Sequence, residues 1–575
     1  MVNEKNVYRA NVDFEELIRT EHDKMKNTDT AFAERKRSPK IVLTADETMM
    51  SKYRWGIFIG FSTCMPQGII PEWFYFSVFS PPVPRKNGRA VYADFGLGIV
   101  ESCLAEVFGE DEVAVVHPRD LEHVVGSRTE IIGISGHDFL GINPPTSEFV
   151  DIVDTGPPYN RVKFFELMRK PVMKEKIVVA GGKAAWQLAD ETIMDKLNID
   201  YVHLGEGELT IPALFKSILE GEELPGIING KEPNTDEIPN IRGATIHGLV
   251  EISRGCGRGC SFCTPTMQKL RFKSVEHVVR DVRTNVEAGQ RSICLHSADI
   301  LRYGAKKIAP DDARVLNLIK SVASVEGIES VGASHIALAT VYHNPGLLNA
   351  VSETCYSMLD QDWQGAQTGI ETGSARLIAK HMRGKALPSP AEKWQEIVTQ
   401  AFGILDDNNW FCAATMINGL PEETTDDVIK SIELVEDLKG ISSLIVPMNF
   451  VSMRGSILDN DESFTMAKMT PEHWQLMGEC IDHDLKIVPK LMRGYKNSKS
   501  IKSWLLSSAA TRMANALNKY VNMMKRGEPP TERREVSKWL NPDIPDLKVT
   551  DAIQTNFKSK FKTKNFYTLV KSRNR

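Results

Sequence analysis

Three of the chain's nine cysteines fall within eight positions. They lie in the segment SRGCGRGCSFC (Ser253–Cys263) as Cys256, Cys260 and Cys263, with gaps of three residues and then two. Soft thiolates at this density suit zinc or an iron–sulfur centre. Structural zinc usually takes four ligands. No fourth Cys or His stands nearby in a fitting pattern; His247 and Cys294 are badly spaced for it. Three thiolates on a four-iron cubane leave one iron without a protein ligand. An open iron can bind a substrate or cosubstrate directly, which is a catalytic arrangement. Gly255, Gly257 and Gly259 relieve crowding, so a short loop can wrap a bulky inorganic centre. A packed, inert group of thiols is the remaining alternative.

The elements around this loop must position it. The run GLVEIS before it reads as a strand, which puts the cysteines at a strand's carboxyl end. SICLHS, ESVGASHI, GAQTGIE, FCAATMI and SLIVPM follow, separated by amphipathic helices. About six βα units predict a partial β/α barrel over 249–465. Upstream, EVAVV, EIIGIS, KIVVAGG and IDYVHLGEGE alternate with helices over 86–225. That pattern predicts a doubly wound parallel sheet, so the overall class is α/β. Such sheets bind ligands beyond their strands' carboxyl ends. Those ends carry Ser135-Gly136-His137-Asp138, Gly181-Gly182 and Gly205-Glu206-Gly207-Glu208.

Residues 226–248, rich in Pro, Gly and Asn, read as a linker. Residues 1–85 read as an N-terminal extension, and 466–575 as a helical, basic C-terminal region. In Trp504–Met524 apolar residues recur at helical spacing, from Leu506 to Met524. The apolar stretch Gly56–Val83 is broken by Pro66, Pro71 and Glu72. It reads as a buried strand with loops, too interrupted to span a membrane.

With 42% hydrophobic and 25% charged residues, the 575-residue chain is not globally disordered. The net charge of −5 gives no overall field for nucleic acid, which is not expected as a partner. The balance is uneven: beyond Leu485 stand 21 Lys and Arg against 6 Asp and Glu. The bland reading of that region is a solvated lysine face. The first residues lack the apolar core of a secretory signal, and nine cysteines make no disulfide framework. The expected location is the cytoplasm.

The cysteine spacing, with Phe262 as an aromatic before the last cysteine, resembles the radical S-adenosylmethionine superfamily. The resemblance implies a [4Fe–4S] cluster on Cys256, Cys260 and Cys263, with S-adenosyl-L-methionine on the open iron. It implies reductive cleavage to a 5′-deoxyadenosyl radical, and hence an electron donor of flavodoxin or ferredoxin type. GIETGSARLIAKHMRGK (Gly369–Lys385) resembles the family's fourth-strand segment, in which Glu371 and Ser374 would contact the cosubstrate. MINGLPEETTDD resembles the fifth strand, with Glu422 or Glu423 free to cap the next helix. VPMNFVSMRGSIL resembles the sixth. These resemblances cover roughly 250–460.

The upstream sheet resembles the cobalamin-binding domain of one radical S-adenosylmethionine subclass. The matching pieces are VVAGGKAAWQL and VHLGEGE, where Gly181, Gly182, Gly205 and Glu206 would lie near the corrin and its tail. A ligand-binding sheet without corrin is the alternative reading. The third-strand loop SGHDFLG departs from that family's D-x-H-x-x-G ligand pattern. Ser135 stands in place of Asp, and Gly141 falls four residues after His137 rather than three. A loop packed beneath the corrin is therefore expected instead of a strong His137–cobalt bond, with Asp138 in a hydrogen-bonding role.

The resemblance implies methylation of an unactivated carbon, with two S-adenosylmethionines per turnover through methylcobalamin. Similarity along the chain is nearest to archaeal proteins of this type. Some methylate a protein carbon, one of them a glutamine of methyl-coenzyme M reductase; others form rings in membrane lipids. A protein or peptide substrate is expected here. The alternatives are lipid ring formation, or a non-enzymatic corrinoid or iron–sulfur carrier. HSADILRYG (His296–Gly304), with Asp299, Arg302 and Tyr303, is a candidate substrate-side loop. His335 is expected to be a satisfied interior histidine.

Overall fold

Six short runs of branched apolar residues build the first sheet: β1 (Ile41–Ala45), β2 (Val113–Val115), β3 (Ile131–Ser135), β4 (Ile177–Gly181), β5 (Tyr201–Leu204) and β6 (Ile227–Asn229). This is a computed structural model, and it describes residues 38–54, 57–144, 146–153, 156–496 and 518–530. The strands are all parallel, in the order β2-β1-β3-β4-β5-β6. Side chains alternate between the faces. Val42, Ile132, Ile134, Val178 and Ala180 pack under α2 (Tyr159–Met168) and α3 (Glu191–Leu197). Ile41, Leu43, Val113, Ile131 and Val179 pack under α1 (Phe95–Phe108) and α4 (Ile211–Leu219). This is the expected doubly wound architecture. The strand order reverses at β1 and β3, so a crevice opens beyond their carboxyl ends.

The boundaries differ from those expected. β1 lies inside the supposed extension 1–85, yet it is an interior strand with all five residues buried. β6 lies inside the supposed linker 226–248 and forms the other edge. Arg89–Ala93, at the start of the expected domain 86–225, is not in this sheet. Arg89–Ala90 pairs with Arg85–Lys86, and Tyr92–Ala93 pairs with Ala244–Thr245. The polar flank of IVLTA hid β1, and prolines around Ile227–Asn229 hid β6.

The second series is also parallel. β7 (Leu249–Glu251), β8 (Ser292–His296) and β9 (Ser330–Ala333) form one sheet. β10 (Gln364–Glu371), β11 (Trp410–Asn418) and β12 (Ser443–Asn449) form another. A single parallel bridge, His335 to Gln367, joins the two. One apolar core runs through all six strands, so the expected partial barrel is present. The long helix α5 (Pro471–Lys496) lies along β12, where Asp484 Oδ1 accepts the Ile445 amide at 2.7 Å. Of the amphipathic stretch expected over Trp504–Met524, Val521 and Met524 pack with Trp474 and Met477. Residues 497–517, and the basic stretch 531–575, lie outside the described residues.

The apolar stretch before Val83 is not a strand. It forms helical turns over Ile57–Cys64, Glu72–Phe74 and Tyr75–Phe79. Tyr75 stacks on Tyr159 of α2 with ring centroids 4.3 Å apart, which fastens these turns to the first sheet. Among the described residues no helix is long and apolar enough to cross a membrane.

Candidate functional site

The cysteine loop leaves β7 and is closed at its base by a short antiparallel ladder between Ser253–Arg254 and Arg271–Phe272. The amides of Cys256 and Gly257 both donate to the Met267 carbonyl, at 2.9 and 3.0 Å. Gly255, Gly257 and Gly259 all take positive φ. A Cβ on Gly255 would lie 2.0 Å from the Lys269 carbonyl oxygen, so only glycine fits there. Arg258, buried between the cysteines, donates to the Gly384 carbonyl (2.9 Å) and to Thr340 Oγ1 (2.8 Å), beside Asp299. Arg302 donates to the Cys256 carbonyl at 3.0 Å. The Ser261 amide donates to the His381 carbonyl at 2.8 Å. The loop is thus held from four sides with its three thiols half-buried.

Burial raises the Cys256 thiol, against the opposing charge of Arg258. Cys260 and Cys263 share a hydrogen bond that lowers the first and raises the second; the Lys385 charge also favours the Cys260 thiolate. Cationic surroundings are what thiolate ligands need. Among the described residues no three His, Cys, Asp or Glu side chains converge on one metal-ion position. Three soft thiols with no other Cys or His in the loop are the donor set of an iron–sulfur centre with one open iron rather than of a closed four-ligand zinc site. Phe262 packs against the barrel core from this loop.

Glu371 stands at the end of β10 beside these cysteines. Its φ is +67°, and the β10–β11 register slips between Gly369 and Glu371. The carboxylate accepts from Lys385 Nζ (2.9 Å) and Thr415 Oγ1 (3.0 Å). A Cβ on Gly369 would sit 1.9 Å from Glu371 Oε1, so a side chain there would push the carboxylate aside. Ser374 departs from expectation. It is fully buried, its hydroxyl donates to Asp427, and it caps the helix Ala375–His381. It shapes the turn after Glu371. The helix after β11 is capped by the Thr424–Asp427 box, while Glu423 accepts from the Gly419 amide and His473. Neither Glu422 nor Glu423 is the cap.

On the first sheet, His137 is exposed, with Nε2 3.5 Å from Asp94 Oδ1. Asp138 is an internal hub. It accepts from the Ile142 and Asn143 amides, Gln187, Thr146 and Asn160, and its carboxyl is raised by burial against those bonds. Gly141, at φ +70°, closes the same loop against Pro158. Gly181 has nothing within 4 Å of a would-be Cβ, whereas at Gly182 a Cβ would meet Ser135 Oγ at 2.6 Å and the Gly136 amide at 2.9 Å. Gly182→Ala, at φ +88°, should therefore lower stability by about 1–3 kcal/mol in urea unfolding. Gly181→Ala should stay within about 0.5 kcal/mol of wild type.

Glu206 also departs from expectation. It is buried and ion-paired, with Oε1 to Arg271 (2.5 Å) and Oε2 to Arg254 (2.7 Å). Arg254 also reaches Glu208 (2.7 Å) and Glu251 (2.9 Å). The loop after β5 is thus pinned to the base of the cysteine loop rather than left to grip a ligand with its carboxylate. Gly205, at φ +86°, makes the turn into it.

This pinning makes the carboxyl edges of the two sheets face each other across a cleft. Lys183, after Gly182, is electrostatically linked to Cys263, and its charge also reaches His296 and His335. Asp94 and His137 act on His296 from the same side. Sequence reading missed Lys183, Arg254, Arg258, Ser334 and Lys385. Only the charge repeat of GRG and RGK signalled two of them. The candidate loop His296–Gly304 is mostly structural: Asp299 bonds Thr340 (2.6 Å), Arg302 holds the cysteine loop, and Tyr303 donates to the Lys273 carbonyl (2.6 Å). His296 and His335 are both half-buried, and each has a ring nitrogen satisfied by Ser334, as expected of an interior histidine at position 335.

No protein-family model matches the chain. Similar curated proteins include the ribosomal protein uS12 methylthiotransferase of Leptospira biflexa, 27% identical over 46% of this chain and 56% of that protein. Others are the tRNA-2-methylthio-N(6)-dimethylallyladenosine synthase of Thermotoga petrophila, 23% identical over 47% of this chain and 58% of that protein, and an uncharacterized methyltransferase of Pyrococcus horikoshii, 26% identical over 60% and 73%. The chain spans 56–60% of the length of the first two and of a Methanocaldococcus jannaschii relative. Among solved structures, the radical S-adenosylmethionine methyltransferase TsrM of Kitasatospora setae, with cobalamin and a [4Fe–4S] cluster bound, covers 71% of this chain and 72% of its own. The TM-score is 0.46 and the identity 12%.

Proposed function

We propose that the chain is a cobalamin-dependent radical S-adenosylmethionine methyltransferase that methylates an unactivated carbon of a protein or peptide. One observation carries this reading: a glycine-rich three-cysteine loop at the carboxyl end of β7 faces, across one cleft, the switch-point crevice of a parallel sheet. Cys256, Cys260 and Cys263 would hold a [4Fe–4S] cluster, and Glu371 with Thr415 and Lys385 would line the bound S-adenosylmethionine. The open ground at Gly181, beside His137 and Gly182, would take cobalamin. Bound there, the cofactors supply methyl transfer and hydrogen abstraction by a 5′-deoxyadenosyl radical. The chain's own part is placement. Arg254 fixes one domain edge to the cysteine loop, and Arg258 with Arg302 fixes the loop to the barrel.

Several relatives are named for methylthio transfer. Moving sulfur as well as a methyl group requires a bound sulfur source. Among the described residues the six other cysteines are dispersed, and five of them are buried. Plain methyl transfer is the better reading.

The test is anaerobic reconstitution with iron, sulfide, cobalamin and S-adenosylmethionine, followed by mass analysis of the nucleosides. Both S-adenosylhomocysteine and 5′-deoxyadenosine are expected. 5′-Deoxyadenosine alone would point to ring formation or another non-methylating radical reaction. Neither product would mean a carrier. Gly181→Ala, with stability unchanged, is expected to weaken cobalamin retention; full retention would remove corrin from that crevice.

A further inference from the structure

His296 closes β8 and His335 follows β9, both at the barrel end that carries the cysteines. Ser334 lies between them. Its Oγ is 3.0 Å from Nδ1 of His296 and 3.0 Å from Nδ1 of His335. The same oxygen lies 3.2 Å from the Ser297 amide and 3.1 Å from the Ser297 carbonyl. A serine hydroxyl has one proton to give. At most one of the two Nδ1 atoms can receive it, so at least one imidazole carries its own proton on Nδ1. That ring presents a bare Nε2. The Ser297 backbone also bonds the His335 ring, and neither Nε2 is a buried orphan. Both open on the cleft.

Burial keeps both rings uncharged, and Lys183 reinforces this from the opposite wall; His335 is pushed down to about 3. A neutral ring with a bare nitrogen accepts a hydrogen bond and does not take up a proton. A carboxylate would meet that lone pair with its own. A hydrocarbon chain would leave the bare nitrogen unpaired on burial, which disfavours it.

We propose that His296 and His335 form a substrate-binding pair that takes an uncharged N–H donor, a polypeptide amide, on the bare Nε2. The proposal rests on the methyltransferase reading only for the substrate being a peptide. Lys183, which makes no hydrogen bond or ion pair among the described residues, stands across the cleft to receive the amide's carbonyl.

The test is the rate of carbethoxylation of each histidine in the full chain, read by mass spectrometry. The probes are N-acetylglutamine methylamide, its glutamate isostere and farnesol. Both histidines should react, and the carboxamide should slow both while the carboxylate and farnesol do not. Asparagine replaces Nδ1 and drops Nε2. His296→Asn and His335→Asn should each weaken carboxamide protection of the remaining ring about three- to tenfold. Unreactive histidines, equal protection by the isosteres, or protection by farnesol would each overturn the proposal. Failure of the methyltransferase reading would show separately, in the nucleoside products, and would leave this footprint unchanged.

Discussion

Replacing Cys256, Cys260 or Cys263 singly with alanine leaves a folded chain that no longer retains an iron–sulfur centre and forms 5′-deoxyadenosine only at background. The three thiols are half-buried, so truncating one removes little core contact. Arg258, Arg302 and Ser261 hold the loop through backbone and side chains that the substitution does not touch. A cubane with three protein ligands has no spare to lose. Gly255→Ala should give the same loss by another route. The residue sits at φ +82°, and its new Cβ would overlap the Lys269 carbonyl, so the loop cannot close with its cysteines in place. Cys294→Ala serves as control, since Cys294 stands within β8. Iron and sulfide content with the visible charge-transfer band are the readouts. A cysteine variant with wild-type iron would remove that residue from the ligand set, and wild-type protein that takes zinc and no cluster would end the scheme.

The loop was legible because its chemistry is local. Thiolate spacing and alternating glycines are both written within eleven consecutive residues. The doubly wound sheet was legible for the same reason, since β3 and β4 are apolar runs ending in serine and glycine and β5 is followed directly by Gly205. β1 was not, because five residues after a polar stretch carry no period to distinguish strand from helix. Its partners, β2 and β3, lie some seventy and ninety residues downstream.

Side-chain roles were less legible than side-chain places. Glu371 ends β10 as its motif implied, but Ser374, three residues on, turns inward to cap a helix. A serine before Ala-Arg-Leu reads equally as a cap or a ligand contact. Glu206 and Asp138 carried charges at strand ends, where ligands bind. The structure spends those charges on Arg254 and Arg271, and on the loop's own amides. The partners are 48 and 65 residues away in one case and neutral in the other, and neither is marked in the sequence. The histidine pair was hidden in the same way. His296 and His335 become neighbours only when β8 and β9 pair, and Ser334 acquires meaning only between them.

Arg254→Met is expected to destabilise the chain at neutral pH by about 3–5 kcal/mol, the usual cost of breaking a buried ion pair from one side. Arg254 touches three carboxylates, those of Glu206, Glu208 and Glu251. Arg271 still covers Glu206, and Lys273 still lies 3.5 Å from Glu251. Glu208 is left with no cation. The double variant Arg254→Met with Glu208→Gln should therefore lose less than the single one. Arg254→Lys should recover only part, because a point charge cannot fork across carboxylates on both sides. The effect has a defined pH course. Burial alone would raise the Glu251 carboxyl, but Arg254 and then Lys273 overrule it and hold it at about 2. A depressed folded value stabilises fully above the unfolded value of about 4.5, and that contribution is lost as the pH falls toward 2. It is worth about 3 kcal/mol at neutral pH, at about 1.4 kcal/mol per unit. The gap in urea midpoint between wild type and Arg254→Met should accordingly be widest at pH 7 and narrow below about pH 4.5. A gap that stays constant down to pH 3 would show that Arg254 acts by packing and not by charge.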